Sequence, residues 1–156
     1  MENRDLKGFQ GIFFDEETEK KLIELQKKGL ETNIKNMHIT FKYGIVERYP
    51  DEVLGKEYEV ELVGYASDGK NSGFSVIFKD ELDKYYKGSI VPHITVSIGE
   101  VDGVKGKPVD TSKLEFKSIG SPVKISGKLG YFIYDKGLCF DNEFIDKFNA
   151  QKKLEL

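Results

Sequence analysis

The chain holds two histidines, and each is followed by isoleucine and then threonine: Met37-His38-Ile39-Thr40-Phe41 and Pro92-His93-Ile94-Thr95-Val96. Threonine occurs five times in 156 residues, so a matched offset at both histidines has a chance probability of about one in a thousand. An imidazole has an ordinary pKa of about 6.5 and can take or give a proton at neutral pH. Two imidazoles on opposite sides of a phosphodiester, one neutral and one protonated, can act as base and acid for in-line displacement at phosphorus. Hydroxyls and a nearby cation can hold the non-bridging oxygens on which charge accumulates. This chemistry needs no cofactor and no metal, and neither histidine has acidic sequence neighbours or the helical His-Glu-x-x-His pattern of a zinc site.

These groups act together only if the chain positions them. Side chains two apart on a strand share a face, about 6.6–7 Å from one another. If each motif is a strand, His38 shares a face with Thr40 and His93 with Thr95, while Ile39, Phe41, Ile94 and Val96 face a core. Lys42 and Ser97 continue the two polar faces and are candidate substrate-binding residues. Tyr43 falls on the opposite face by strict alternation and reaches the substrate only if its strand bulges. Tyr131, with Tyr85, Tyr86 and Tyr134, is a candidate for stacking on a nucleobase, although core packing is the commoner role for such rings. The Gly99–Pro108 loop, with Lys105 and Lys107, is read as a lip over the site or a plain connection.

The pattern predicts a strand over Phe9–Phe14 and a helix from Asp15 that carries acids in its first turn, lysines in its last, and Gly29 as its stop. A strand follows over Met37–Ile45. The alternation from Lys56 to Phe78 predicts two antiparallel strands around a turn at Ser67–Gly73. A short helix at Asp80–Lys87, a strand at Ser89–Ile98 and a short helix near Val109–Phe116 come next. Strands at Val123–Lys128, Leu129–Tyr134 and Leu138–Phe140 are joined by turns at Gly127–Gly130 and Asp135–Gly137. A helix over Asn142–Ala150 closes the domain, with residues 1–7 and 151–156 as tails. Two histidine strands in similar surroundings predict two related halves.

The composition sets limits. At 156 residues with 38% apolar side chains the chain forms one domain with a real core. A net charge of −3, with Arg4 and Arg48 as the only arginines, argues against duplex DNA as a partner and leaves lysine to bind anions. Cys139 stands alone in Gly-Leu-Cys-Phe and reads as an inert buried thiol rather than a nucleophile. No run approaches the roughly 18 consecutive apolar residues of a membrane span, and the expectation is a cytoplasmic monomer.

Paired His-x-Thr motifs separated by 55 residues, on successive strand–helix–strand units of a chain this size, resemble the two-histidine (2H) phosphoesterase superfamily. The resemblance implies an α+β fold of two pseudo-symmetric lobes, each an antiparallel sheet with flanking helices, and an active cleft between them. It implies His38 and His93 as catalytic residues and Thr40 and Thr95 as phosphate-binding hydroxyls. The implied substrate is a nucleotide or RNA end carrying a 2′,3′-cyclic phosphate, opened to a 2′-phosphate. A 2′-5′ oligoadenylate, a cyclic oligonucleotide signal, and a non-catalytic module that binds nucleotides or RNA ends remain alternatives. Members that use arginine near the phosphate differ from this chain, in which Lys42, Tyr43 and the loop lysines would substitute.

Overall fold

The computed structural model describes residues 5–26, 29–79, 82–88 and 91–154. Strand β1 (Lys7–Phe13) leads into helix α1 (Glu16–Leu25). Asp15 caps α1, accepting the Thr18 N–H at 2.8 Å, and that bond holds the Asp15 carboxyl below its usual pKa. After the short β2 (Thr32–Asn33) come β3 (His38–Ile45), β4 (Glu57–Ser67) and β5 (Asn71–Phe78). A 3-10 turn at Leu82–Tyr85 precedes β6 (His93–Ile98), and a hairpin of β7 (Glu100–Val101) and β8 (Val104–Lys105) leads to a 3-10 segment at Pro108–Lys113. The chain ends with β9 (Lys117–Ile133), β10 (Gly137–Cys139) and helix α2 (Glu143–Leu154). No helix among the described residues is long and apolar enough to cross a membrane.

The fold is α+β and mostly sheet. Its strands do not divide into the two antiparallel sheets expected of separate lobes. They run β1-β3-β6-β5-β4-β9 in one sheet, and β9 pairs again with β1, closing a six-stranded barrel. Closure follows from β1, which bonds β3 along one edge and β9 along the other, register Gly8 to Ile133 and Phe13 to Lys128. Closure removes the exposed edges that an open sheet must protect. Ile12, Ile39, Leu62, Ile94, Val96 and Leu129 are fully buried in the interior.

Several local expectations change under tertiary contact. The strands at Val123–Lys128 and Leu129–Tyr134 form one element, because Gly127 and Gly130 are sites of close packing rather than a turn. A Cβ at Gly127 would collide with Ile12 and the Phe13 carbonyl, and one at Gly130 with the Phe140 ring. Helix α1 stops at Leu25 because Gln26 is extended, its amide oxygen accepting hydrogen bonds from Ser72 (2.6 Å) and Ser97 (2.9 Å) inside the fold. The expected helical end at Lys27–Lys28 lies outside the described residues, as do Asp80, Glu81, Ser89 and Ile90. The helix expected over Asp80–Lys87 is a 3-10 turn where it is described, and the one near Val109–Phe116 is the 3-10 segment at Pro108–Lys113. The Gly99–Pro108 loop contains the β7–β8 hairpin. Neither end is a free tail where described. Helix α2 continues to Leu154, Lys152 pairs with Asp5 at 2.6 Å, and the Leu6 carbonyl accepts the Val46 N–H.

Candidate active site

Strands β3 and β6 run antiparallel and pair at Ile39 and Ile94. Both isoleucines are fully buried, so the flanking histidines and threonines stand on the opposite face, each half-buried. One step either way along this antiparallel register, His38 comes opposite Thr95 and Thr40 opposite His93. The two motifs are thus related by a local two-fold axis through the isoleucine pair. All four side chains line one cleft of about 470 Å³, walled on one side by Tyr86–Gly88 and on the other by Pro108, Val109 and Ser112.

The symmetry extends beyond the motifs. Opposite β1, the register of β3 jumps so that Gly11 faces Thr40 and Gln10 faces Lys42, leaving Phe41 as the extra residue of a bulge. Opposite β5, the register of β6 jumps so that Gly73 faces Thr95 and Ser72 faces Ser97, leaving Val96 as the extra residue. Each threonine is therefore followed by a bulge and faces a glycine. A Cβ at Gly11 would strike the Ile39 carbonyl, and one at Gly73 the Ile94 carbonyl, so each motif strand lies against a partner too close for any side chain.

The bulges decide which neighbours reach the cleft. Ser97 turns inward, is fully buried, and bonds Gln26 and the Leu30 N–H, so it is a packing residue and not a substrate contact. Tyr43 turns outward, faces Phe9 across the strands and lines the cleft. Lys42 borders the cleft too, but its ammonium donates to the Ile45 carbonyl and lies 3.7 Å from Glu47. Tyr131 is fully buried, far from the substrate role considered for it. Its hydroxyl donates to Asn142 Oδ1 and accepts the Tyr49 N–H, both at 2.7 Å, and burial pushes its pKa up to about 12. Lys87, which the sequence did not single out, also lines the cleft, tied to the Phe41 bulge by its N–H on the Phe41 carbonyl at 2.9 Å.

Both imidazoles are tethered alike. His38 Nδ1 lies 2.8 Å from the Asn36 carbonyl and His93 Nδ1 lies 3.0 Å from the Val91 carbonyl. A carbonyl only accepts, so each neutral ring carries its proton on Nδ1 and keeps the Nε2 lone pair for chemistry. The surroundings differ. His38 stacks between Phe9, at 4.6 Å, and Phe13, at 5.4 Å, whereas the ring nearest His93 is Phe116, tilted at 6.4 Å. Burial lowers both pKa values, and at His38 the proximity of His93 lowers it further. An anion in the cleft opposes that shift, so one imidazole becomes protonated at neutral pH most readily when a phosphate is bound. Thr95 Oγ1 donates to the Pro108 carbonyl at 3.2 Å, which orients its lone pairs.

Among the described residues no three His, Cys, Asp or Glu side chains are grouped to hold a metal ion. Cys139 is half-buried, and burial raises its thiol pKa, which suits an unreactive thiol. Neither protein-family models nor curated proteins match the chain, and the reading of the cleft rests on its own geometry.

Proposed function

We propose that the chain is a metal-independent phosphodiesterase of the 2H type, opening a 2′,3′-cyclic phosphate on a nucleotide or RNA end to a 2′-phosphate. The observation that carries the reading is the local two-fold about Ile39 and Ile94, with each histidine opposite the other strand's threonine and each ring tethered through Nδ1. A neutral imidazole takes a proton from water through Nε2 as the water oxygen attacks phosphorus. The bond from phosphorus to the ribose 3′ oxygen breaks, and that oxygen takes a proton from the second imidazolium. The Thr40 hydroxyl donates to a non-bridging oxygen as it gains charge, and the Thr95 hydroxyl does the same by turning its proton from the Pro108 carbonyl to the phosphate. A cleft of about 470 Å³ is within the range of small-molecule sites. Acidic composition and scarce arginine favour a strand end over a long duplex, whose binding draws on many phosphate contacts.

The test is product formation, in EDTA, from a panel of cyclic mononucleotides, RNA with cyclic-phosphate ends, 2′-5′ oligoadenylates and cyclic dinucleotides. Turnover of cyclic phosphates that falls by at least about 100-fold in His38→Ala and in His93→Ala supports the reading. Near-normal turnover in both variants overturns it. Tight binding without product assigns the cleft to a binding module.

A further inference from the structure

Phe9 is the hub of an aromatic cluster that leads out of the cleft across the sheet. Its ring centre lies 4.6 Å from that of His38, 5.6 Å from Tyr43, 5.0 Å from Phe132 and 6.4 Å from Tyr134. Strand pairing builds the cluster, because Phe9 faces Tyr43 on β3 and Phe132 on β9. Phe9 and Phe132 are nearly parallel, at 11°, and cover one another. The two tyrosines at its margins stay open, Tyr43 at 57% and Tyr134 at 52% exposure. Tyr43 lines the cleft, so the cluster joins the site at one end and leaves it at the other. At the far end the Tyr134 N–H donates to the Lys7 carbonyl at 3.0 Å, and exposed Lys7, two residues before Phe9 on β1, shares the strand face of Phe9.

We infer that this aromatic surface receives the nucleotide before the one that carries the reacting phosphate, so that the substrate is the end of a single-stranded nucleic acid whose penultimate base stacks on Tyr134. The reaction in the cleft rests on the phosphodiesterase reading, while the stacking surface rests on the ring geometry alone. An exposed tyrosine face is suited to stacking any base, and Lys7 is placed to meet the phosphate beside it. Stacked strands advance about 3.4 Å per nucleotide, so ring spacings of 4.6 and 6.4 Å put Tyr134 within about three nucleotides of His38. A mononucleotide leaves that surface uncovered. A duplex has no free base face to offer it.

The experiment compares cytidine 2′,3′-cyclic phosphate with a cytidine trinucleotide ending in the same cyclic phosphate, for the wild type, Tyr134→Ala and Tyr134→Phe. The expected kcat/KM for the trinucleotide is about 5- to 150-fold higher in the wild type, the effect of one stacked base. That ratio falls towards one in Tyr134→Ala and is kept in Tyr134→Phe. Equal kcat/KM for the two substrates in the wild type, or an unchanged ratio in Tyr134→Ala, overturns the inference. A binding arm uses His93→Ala with cytidine 3′-phosphate and a cytidine trinucleotide 3′-phosphate. Tighter trinucleotide binding that is lost on adding Tyr134→Ala supports the surface even if the wild type turns nothing over, and length-independent binding overturns it.

Discussion

Ile39 and Ile94 meet across β3 and β6 as the pairing that joins the two histidine strands, and both are fully buried. Everything chemical in the cleft is arranged about that contact. One apolar pair sets the separation of the two imidazoles and the pairing of each with the opposite hydroxyl. The partner strands repeat the relationship, with Gly11 and Gly73 in equivalent places. A pair of histidines brought together by accident would not share tether, bulge and facing glycine.

The unequal enclosure of the two rings predicts unequal roles. His38, stacked between Phe9 and Phe13, is the expected base, and the more open His93 the expected acid. A diester with a p-nitrophenolate leaving group needs no proton on departure. His93→Ala should therefore lose far less rate on that substrate than on a cyclic phosphate, while His38→Ala loses rate on both. The reverse pattern would exchange the assignments.

Stability should depend on pH through the same rings. Burial holds both pKa values below the ordinary value, so between the folded-state values and about pH 6.5 the unfolded chain binds more protons. Their contribution is complete above about pH 6.5, declines as pH falls towards the folded-state values, and is constant below them. Urea unfolding from about pH 7.5 to 5 should thus show a steeper loss in the wild type than in His38→Gln. An equal slope would show that His38 titrates alike in both states. Bound phosphate raises the pKa, so the acidic limb should lie at lower pH in kcat/KM than in kcat.

Gly11→Ala and Gly73→Ala should each destabilise the protein by about 1–3 kcal/mol, the usual penalty for overpacking. The new methyl meets the Ile39 or Ile94 carbonyl of a motif strand, so activity per folded molecule should fall as well. Chemical unfolding and kcat on soluble protein check the two effects separately. A neutral result at both positions would mean that the motif strands shift at no cost.

Tyr131→Phe removes the hydroxyl that joins Asn142 to the Tyr49 backbone. It should cost about 1–3 kcal/mol, as expected for buried groups left without partners, while kcat/KM at a temperature well below unfolding stays at the wild-type value. A large loss of kcat/KM would return Tyr131 to the site.

Much of this was legible along the chain. Alternation alone separates His38 and Thr40 from Ile39, and His93 and Thr95 from Ile94, because a strand's two faces follow from its backbone. The cap at Asp15 and the turn at Asp68–Lys70 were likewise written in short-range chemistry, and both are present. The backbone path just after each threonine was not legible. Ser97 and Tyr43 exchange faces relative to simple alternation because Val96 and Phe41 bulge, and a bulge is decided by the partner strand. Gly127 and Gly130 have the composition of a turn, yet Ile12 and Phe140 press against them within one long strand, and Gln26 ends its helix for two serines far along the chain. The sequence by itself determined the pair of amphipathic motifs and the groups they present. Only the tertiary structure decided that the motifs share a cleft, that one sheet closes into a barrel, and which neighbours face that cleft, because each depends on pairing between strands distant in the chain.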